Sequence, residues 1–94
     1  MGEKALLRAC KEMLAAEKIK EWDDAEIVGS SGQYWLGSRR VSTQTVNIGL
    51  WNILFRSEGM GSGYERHTLN ERGRSFAETG QLPALDLKAP SNKP

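Results

Sequence analysis

Between Glu3 and Lys18, Leu6, Cys10, Met13 and Leu14 recur at i, i+4, i+7 and i+8 with charged residues between them. This spacing predicts an amphipathic helix, and its apolar stripe obliges the rest of the chain to supply a surface against it. Lys18 and Lys20 sit where cations suit the helix dipole, and Trp22 is expected to cap the core beside them. With 94 residues the chain forms one domain with a single modest core, marginally stable unless it dimerises.

Further along, the period changes. AEIV and QYWLG flank GSSG, which reads as a hairpin, although DDAEIVG also fits a short helix capped by Asp23 or Asp24. Ser42 is a good N-cap, and Val46, Gly49, Leu50, Ile53 and Leu54 then fall on one face of a helix over 42–55. Thr43, Gln44, Asn47 and Trp51 lie on the opposite face. Gly49 costs about 1 kcal/mol of helix propensity, which makes sense where another element approaches closely. SEGMGSG is expected to break the helix and turn the chain. A strand then places Tyr64, Arg66 and Thr68 on one face and Glu65, His67 and Leu69 on the other. Asn70 caps a last helix carrying Phe76, which Gly80 stops and Pro83 keeps from resuming. The domain is therefore expected to span residues 1–81, with 82–94, which hold all three prolines, as an extended arm or disordered tail.

Several functional classes find little in these residues. One cysteine makes no internal disulfide, and the absence of a charged and apolar leader favours the cytoplasm. No apolar run approaches the roughly 20 residues a membrane helix needs. GMGSGY lacks the third glycine, the surrounding unit and the acidic residue of a dinucleotide turn, so no cofactor is expected. One cysteine and one histidine do not make a usual zinc set. Cys10 with His67 as nucleophile and base is a formal pairing, but Cys10 lies on the apolar stripe, and the chain is not expected to be an enzyme. His67 itself reads as a surface histidine on a strand, with a phosphate or groove contact and a buried structural role as alternatives. Trp35 and Trp51 read as core or dimer surface.

Charge is unevenly placed. Residues 1–27 carry five cations against seven acidic groups, a local −2, whereas 28–80 carry six arginines and no lysine against four glutamates, a local +2. Arginine makes forked contacts to phosphate and to guanine edges, so its segregation hints at a basic working face.

Two segments carry a family resemblance. RRVSTQTVNIGLWNIL resembles the capped second helix of a helix-turn-helix, and YERHTLNERGR resembles the Y-x-L-T-x-x-G-R pattern that follows the wing in many bacterial regulators. Together they are similar to the winged helix, which implies a small α+β winged-helix-like domain of amphipathic helices and a short β-hairpin wing. The resemblance implies a bacterial or phage-type transcription regulator, a homodimer on double-stranded DNA, with the 42–55 helix in the major groove and the 59–69 wing on the backbone. By position, Thr43, Gln44 and Asn47 would face base edges, while Arg39, Arg40, Ser42 and Arg66 would hold phosphates. A winged helix turned protein-binding module carries the same pattern, its surface formed by Trp35, Trp51 and the wing. A structural or assembly subunit using the C-terminal arm is a third reading. The direction of the arginines discriminates: a continuous positive face around the Ser42 helix favours DNA, an apolar patch there favours protein.

Overall fold

The apolar stripe forms one helix, α1 (Gly2–Lys18), with Leu6, Ala9, Cys10, Met13 and Ala16 buried. The computed structural model describes residues 2–83. After α1 and a 3-10 turn at Trp22–Asp24 come β1 (Glu26–Ser30), β2 (Gln33–Leu36), β3 (Arg39–Val41), α2 (Thr43–Trp51), β4 (Phe55–Gly61), β5 (Tyr64–Leu69) and α3 (Glu71–Thr79). The strands form one antiparallel sheet in the order β3-β2-β1-β5-β4.

Alternation along each strand divides the sheet into two faces. On the inner face Ile27, Leu36, Val41, Phe55 and Leu69 meet Leu6, Cys10 and Met13 of α1, Val46 of α2 and Phe76 and Ala77 of α3 in one core. The outer face carries Glu26, Val28, Trp35, Arg40, Arg56, Glu58, Arg66 and Thr68. The α+β class therefore holds, but five strands make a larger sheet than the hairpin wing expected from sequence.

The hairpin across GSSG forms, and its turn, Ser31–Gly32, has positive φ at both residues (54° and 78°), the type I′ geometry that matches strand twist. The DDAEIVG alternative is realised only as the 3-10 turn ahead of β1. Ser62–Gly63 repeats the type I′ turn between β4 and β5. The glycine-rich turn expected over 59–63 is thus confined to two residues, because Gly59 and Gly61 pair with β5 around a bulge. Both turns lie at one end of the sheet, since Ser30 pairs with Gln33 on one side and Tyr64 on the other.

The second helix is shorter than its pattern. α2 ends at Trp51 because Leu54 N–H reaches Gly49 C=O at 3.0 Å and Ile53 N–H reaches Leu50 C=O at 3.0 Å, a Schellman close. Phe55 consequently opens β4, and Ile53, expected on the core face, is exposed. Trp22 does not cap the core: it is 59% exposed on the 3-10 turn. Gly49 meets its expectation, since a Cβ there would stand 2.3 Å from the Phe55 ring and 3.1 Å from Leu6. α3 starts as expected, Asn70 accepting from Gly73 N–H at 2.8 Å, and stops at Gly80. Leu82, assigned to the tail, packs against the core, and residues 84–94 of the expected tail lie outside the described residues.

Two consequences are measurable. A Cβ on Gly73 would fall 2.2 Å from the Leu54 carbonyl oxygen, and backbone does not yield as a side chain does. Gly73→Ala should therefore lose about 1–3 kcal/mol in urea unfolding, against little change for Gly59→Ala, where a Cβ meets nothing within 4 Å. Cys10 is fully buried, and desolvation pushes its thiol up to about 12. Labelling by a thiol reagent at neutral pH should proceed only as fast as the domain opens, and should become immediate in denaturant.

Candidate functional site

The residues expected to read DNA begin at the N-terminus of α2. Ser42 Oγ accepts from Thr45 N–H at 3.1 Å and hydrogen-bonds Thr45 Oγ1 at 2.7 Å, so the hydroxyl is committed to the cap. Thr43 Oγ1 donates to the Gly32 carbonyl at 3.1 Å, tying the first turn of α2 to the β1–β2 turn. Gln44 is exposed and Asn47 half-buried. α2 carries no charged side chain at all.

The three arginines expected to accompany them do not converge there. Arg39 and Arg40 are successive in β3 and so point to opposite faces. Arg39 turns inward to an ion pair with Glu12 of α1, which also holds Arg8 at 3.3 Å. Arg40 stands on the outer face opposite Trp35 and makes no ion pair or hydrogen bond among the described residues. Arg66, on the outer face of β5, pairs with Glu58 and with Glu26 at 3.5 Å. The hydrogen bond from Arg66, reinforced by its charge, holds the Glu58 carboxyl below its usual range, and Glu58 raises Arg66 in return. Elsewhere Arg74 pairs with Glu17 at 2.9 Å, and Arg72 donates to the Asn52 and Pro83 carbonyls at 3.1 and 2.8 Å. Of the three expected arginines, Arg39 and Arg66 are thus paired with glutamates, and α2 adds no positive charge of its own.

An apolar patch lies at the other end of the same helix. Trp51 is 71% exposed and Ile53 54% exposed. Ile53 occupies the first position past the helix cap with φ 57°, a place glycine usually takes. A β-branched residue in this region is an outlier costing roughly 1–2 kcal/mol. Lys20 closes α1 with φ 62°, but it has no β-branch. The strained segment is held firmly: Asn70 Nδ2 donates to the Ile53 carbonyl at 2.8 Å and Arg72 Nε to the Asn52 carbonyl. Side chains from the start of α3 thus satisfy the end of α2, and two large apolar groups stand on a rigid base. Sequence periodicity already set Trp51 on the face away from the core, but it put Ile53 in the core because it ran the helix on to residue 55. The signal for the break is faint, since Ile53 is not the glycine that marks such a site.

His67 also departs from expectation. It is 2% exposed, with its ring centroid 5.9 Å from Tyr34 and 6.2 Å from Phe55. Nδ1 shares a 2.7 Å hydrogen bond with Ser57 Oγ, and Nε2 lies 3.0 Å from Glu65 Oε1. A serine, a histidine and a carboxylate in line have the order of a hydrolytic triad, in which both ring nitrogens are likewise engaged; here the imidazole is buried and its ring lies near those of Tyr34 and Phe55. The arrangement does what a buried polar ring requires, which is to satisfy it. The strand alternation read from sequence already put His67 on the face of Leu69. Among the described residues no group of three or more His, Cys, Asp or Glu is placed to hold a metal, and no helix is long and apolar enough to cross a membrane.

Comparison with protein-family models, with curated proteins and with solved structures found no match.

Ser57→Ala should leave Nδ1 of a buried histidine without its partner, lowering stability by about 1–3 kcal/mol in urea unfolding. A change within about 0.5 kcal/mol would mean that Ser57 is not what satisfies the ring.

Proposed function

We propose that this domain is a protein-docking module whose working surface is the C-terminal end of α2, with Trp51 as anchor and Ile53 beside it. The observation that carries the proposal is Ile53 itself: a strained, exposed, β-branched residue where glycine would fit without strain. The strain gives the isolated domain nothing, whereas an isoleucine side chain adds apolar area to a contact. Tryptophan is among the residues that dominate binding energy when a partner covers it, and a rigid base lowers the entropy lost on docking. The partner is a protein surface with an apolar pocket able to take an indole.

Winged-helix DNA binding is the second reading. It is favoured by one arrangement: exposed Thr43 and Gln44 stand at the end of the sheet that carries both type I′ turns, so α2 and the β4–β5 hairpin can approach one ligand together. Its weakness is electrostatic. Phosphate contacts supply most non-specific affinity, α2 is uncharged, and Arg39 and Arg66 are already paired with glutamates.

The two readings separate in one set of measurements. Ile53→Gly should raise the stability of the free domain by about 1 kcal/mol, by releasing strain, and still weaken binding. Trp51→Ala combined with Ile53→Gly should lose the proteins that the unaltered domain retains from its native extract, while Arg39→Ala with Arg40→Ala keeps them. Random-sequence duplex DNA titrated at several salt concentrations should show no salt-dependent binding. If binding falls steeply with salt, and the arginine variant reduces the slope by about 0.9 for each phosphate no longer neutralised, DNA is the partner and the docking proposal fails.

A further inference from the structure

Among the described residues β4 lies at the end of the sheet, paired to β5 on one side only. Its pairing with β5 keeps one register, from Phe55 with Leu69 through Gly59 with Glu65, before the bulge that separates Gly59 from Gly61. Just ahead of the strand, Asn70 N–H donates to Leu54 C=O at 3.1 Å. In an antiparallel ladder this direction alternates, so Arg56 and Glu58 turn their backbone groups toward β5. The N–H and C=O groups of Phe55, Ser57 and Gly59 therefore point away, toward the open edge.

The two edges of the sheet are built differently. At the far end, β3 is three residues long and carries two arginines, the short charged edge by which proteins discourage pairing. β4 is seven residues long, FRSEGMG, with no proline and no lysine. The bulge after Gly59 restricts its regular open edge to five residues.

Those five residues, Phe-Arg-Ser-Glu-Gly, complement themselves when run antiparallel. We infer that a second copy of this chain pairs on this edge, β4 against β4 about a two-fold axis at Ser57. Ser57 meets the partner's Ser57 and Phe55 meets the partner's Gly59, both as hydrogen-bonded pairs using the outward groups. Arg56 falls opposite the partner's Glu58 as the closer, non-hydrogen-bonded pair, with both side chains on the outer face. Arg56 is exposed and makes no ion pair within 4.0 Å among the described residues. Glu58, already held by Arg66 on one side, gains a second arginine on its open side, so charges alternate across the joined sheets. The bulky residue of each outer pair meets a glycine, and a Cβ at Gly59 would meet nothing within 4 Å in the single chain. Such a contact is isologous, closes at two copies, and joins two five-stranded sheets into one. It leaves the end of α2 free and so goes beyond the docking proposal.

Sedimentation velocity over about 10 µM to 1 mM should show the unaltered chain moving from monomer toward dimer. Arg56→Glu, which breaks no ion pair within the described chain, places glutamate against glutamate and should weaken self-association by at least about tenfold while the circular dichroism is unchanged. Glu58→Arg places arginine against arginine and should do the same. Mixing the two variants restores both cross-strand pairs, so an equimolar mixture should form heterodimers where neither variant alone forms homodimers. A chain that stays monomeric throughout the range overturns the inference. So does undiminished self-association of Arg56→Glu, or a mixture that associates no better than its components.

Discussion

Four elements meet at the backbone of Leu54. Its N–H closes α2 on Gly49, its carbonyl accepts from Asn70 at the end of β5, and Gly73 of α3 rests against that carbonyl too closely for any side chain. The Leu54 side chain is fully buried in the core. Here the chain leaves helical for extended geometry and β4 is aligned against β5. The same point lets the first turn of α3 reach back to the end of α2. A backbone contact of this kind tolerates less adjustment than side-chain packing, because neither the carbonyl nor the helix turn has a rotamer to change.

That junction makes a rigid corner, and the corner holds an unfavourable residue in place. Ile53 lies between the helix closure and the Leu54 contact, so its left-handed conformation is imposed by neighbours on both sides. Strain persists in a fold only where surrounding structure over-determines it. The corner thereby sets Trp51 and Ile53 at fixed positions on the surface, while the remainder of α2 is occupied in covering the core with Val46 and Gly49.

The outer face of the sheet is governed by charge rather than packing. Arg66 is bracketed by Glu58 and Glu26, and Arg74 pairs with Glu17, so much of the arginine excess counted along residues 28–80 is neutralised in space by acidic groups from other elements. Exposed ion pairs of this sort contribute little to stability. Their effect is to decide which guanidinium groups are left over for a ligand or a second copy, and on this face Arg40 and Arg56 make no ion pair among the described residues.

Local pattern determined α1, the division of β5 into two faces and the caps at Ser42 and Asn70, because each depends on residues close in the chain. The close approach at Gly49 was legible for the same reason, as a residue whose local cost implies a neighbour. The early end of α2 was not legible. It closes on backbone hydrogen bonds from Ile53 and Leu54, with the freed Asn52 and Ile53 carbonyls held by side chains of residues 72 and 70, and no glycine at Ile53 announces it. Likewise, GMG has little strand propensity, and β4 extends through it only because β5 supplies a backbone ladder. The burial of His67 was half determined, since alternation gave its face but not the rings and partners that make burial tolerable. The destination of each arginine lay wholly with the tertiary structure: sequence counts charges along the chain, whereas pairing depends on which carboxylates folding brings within reach.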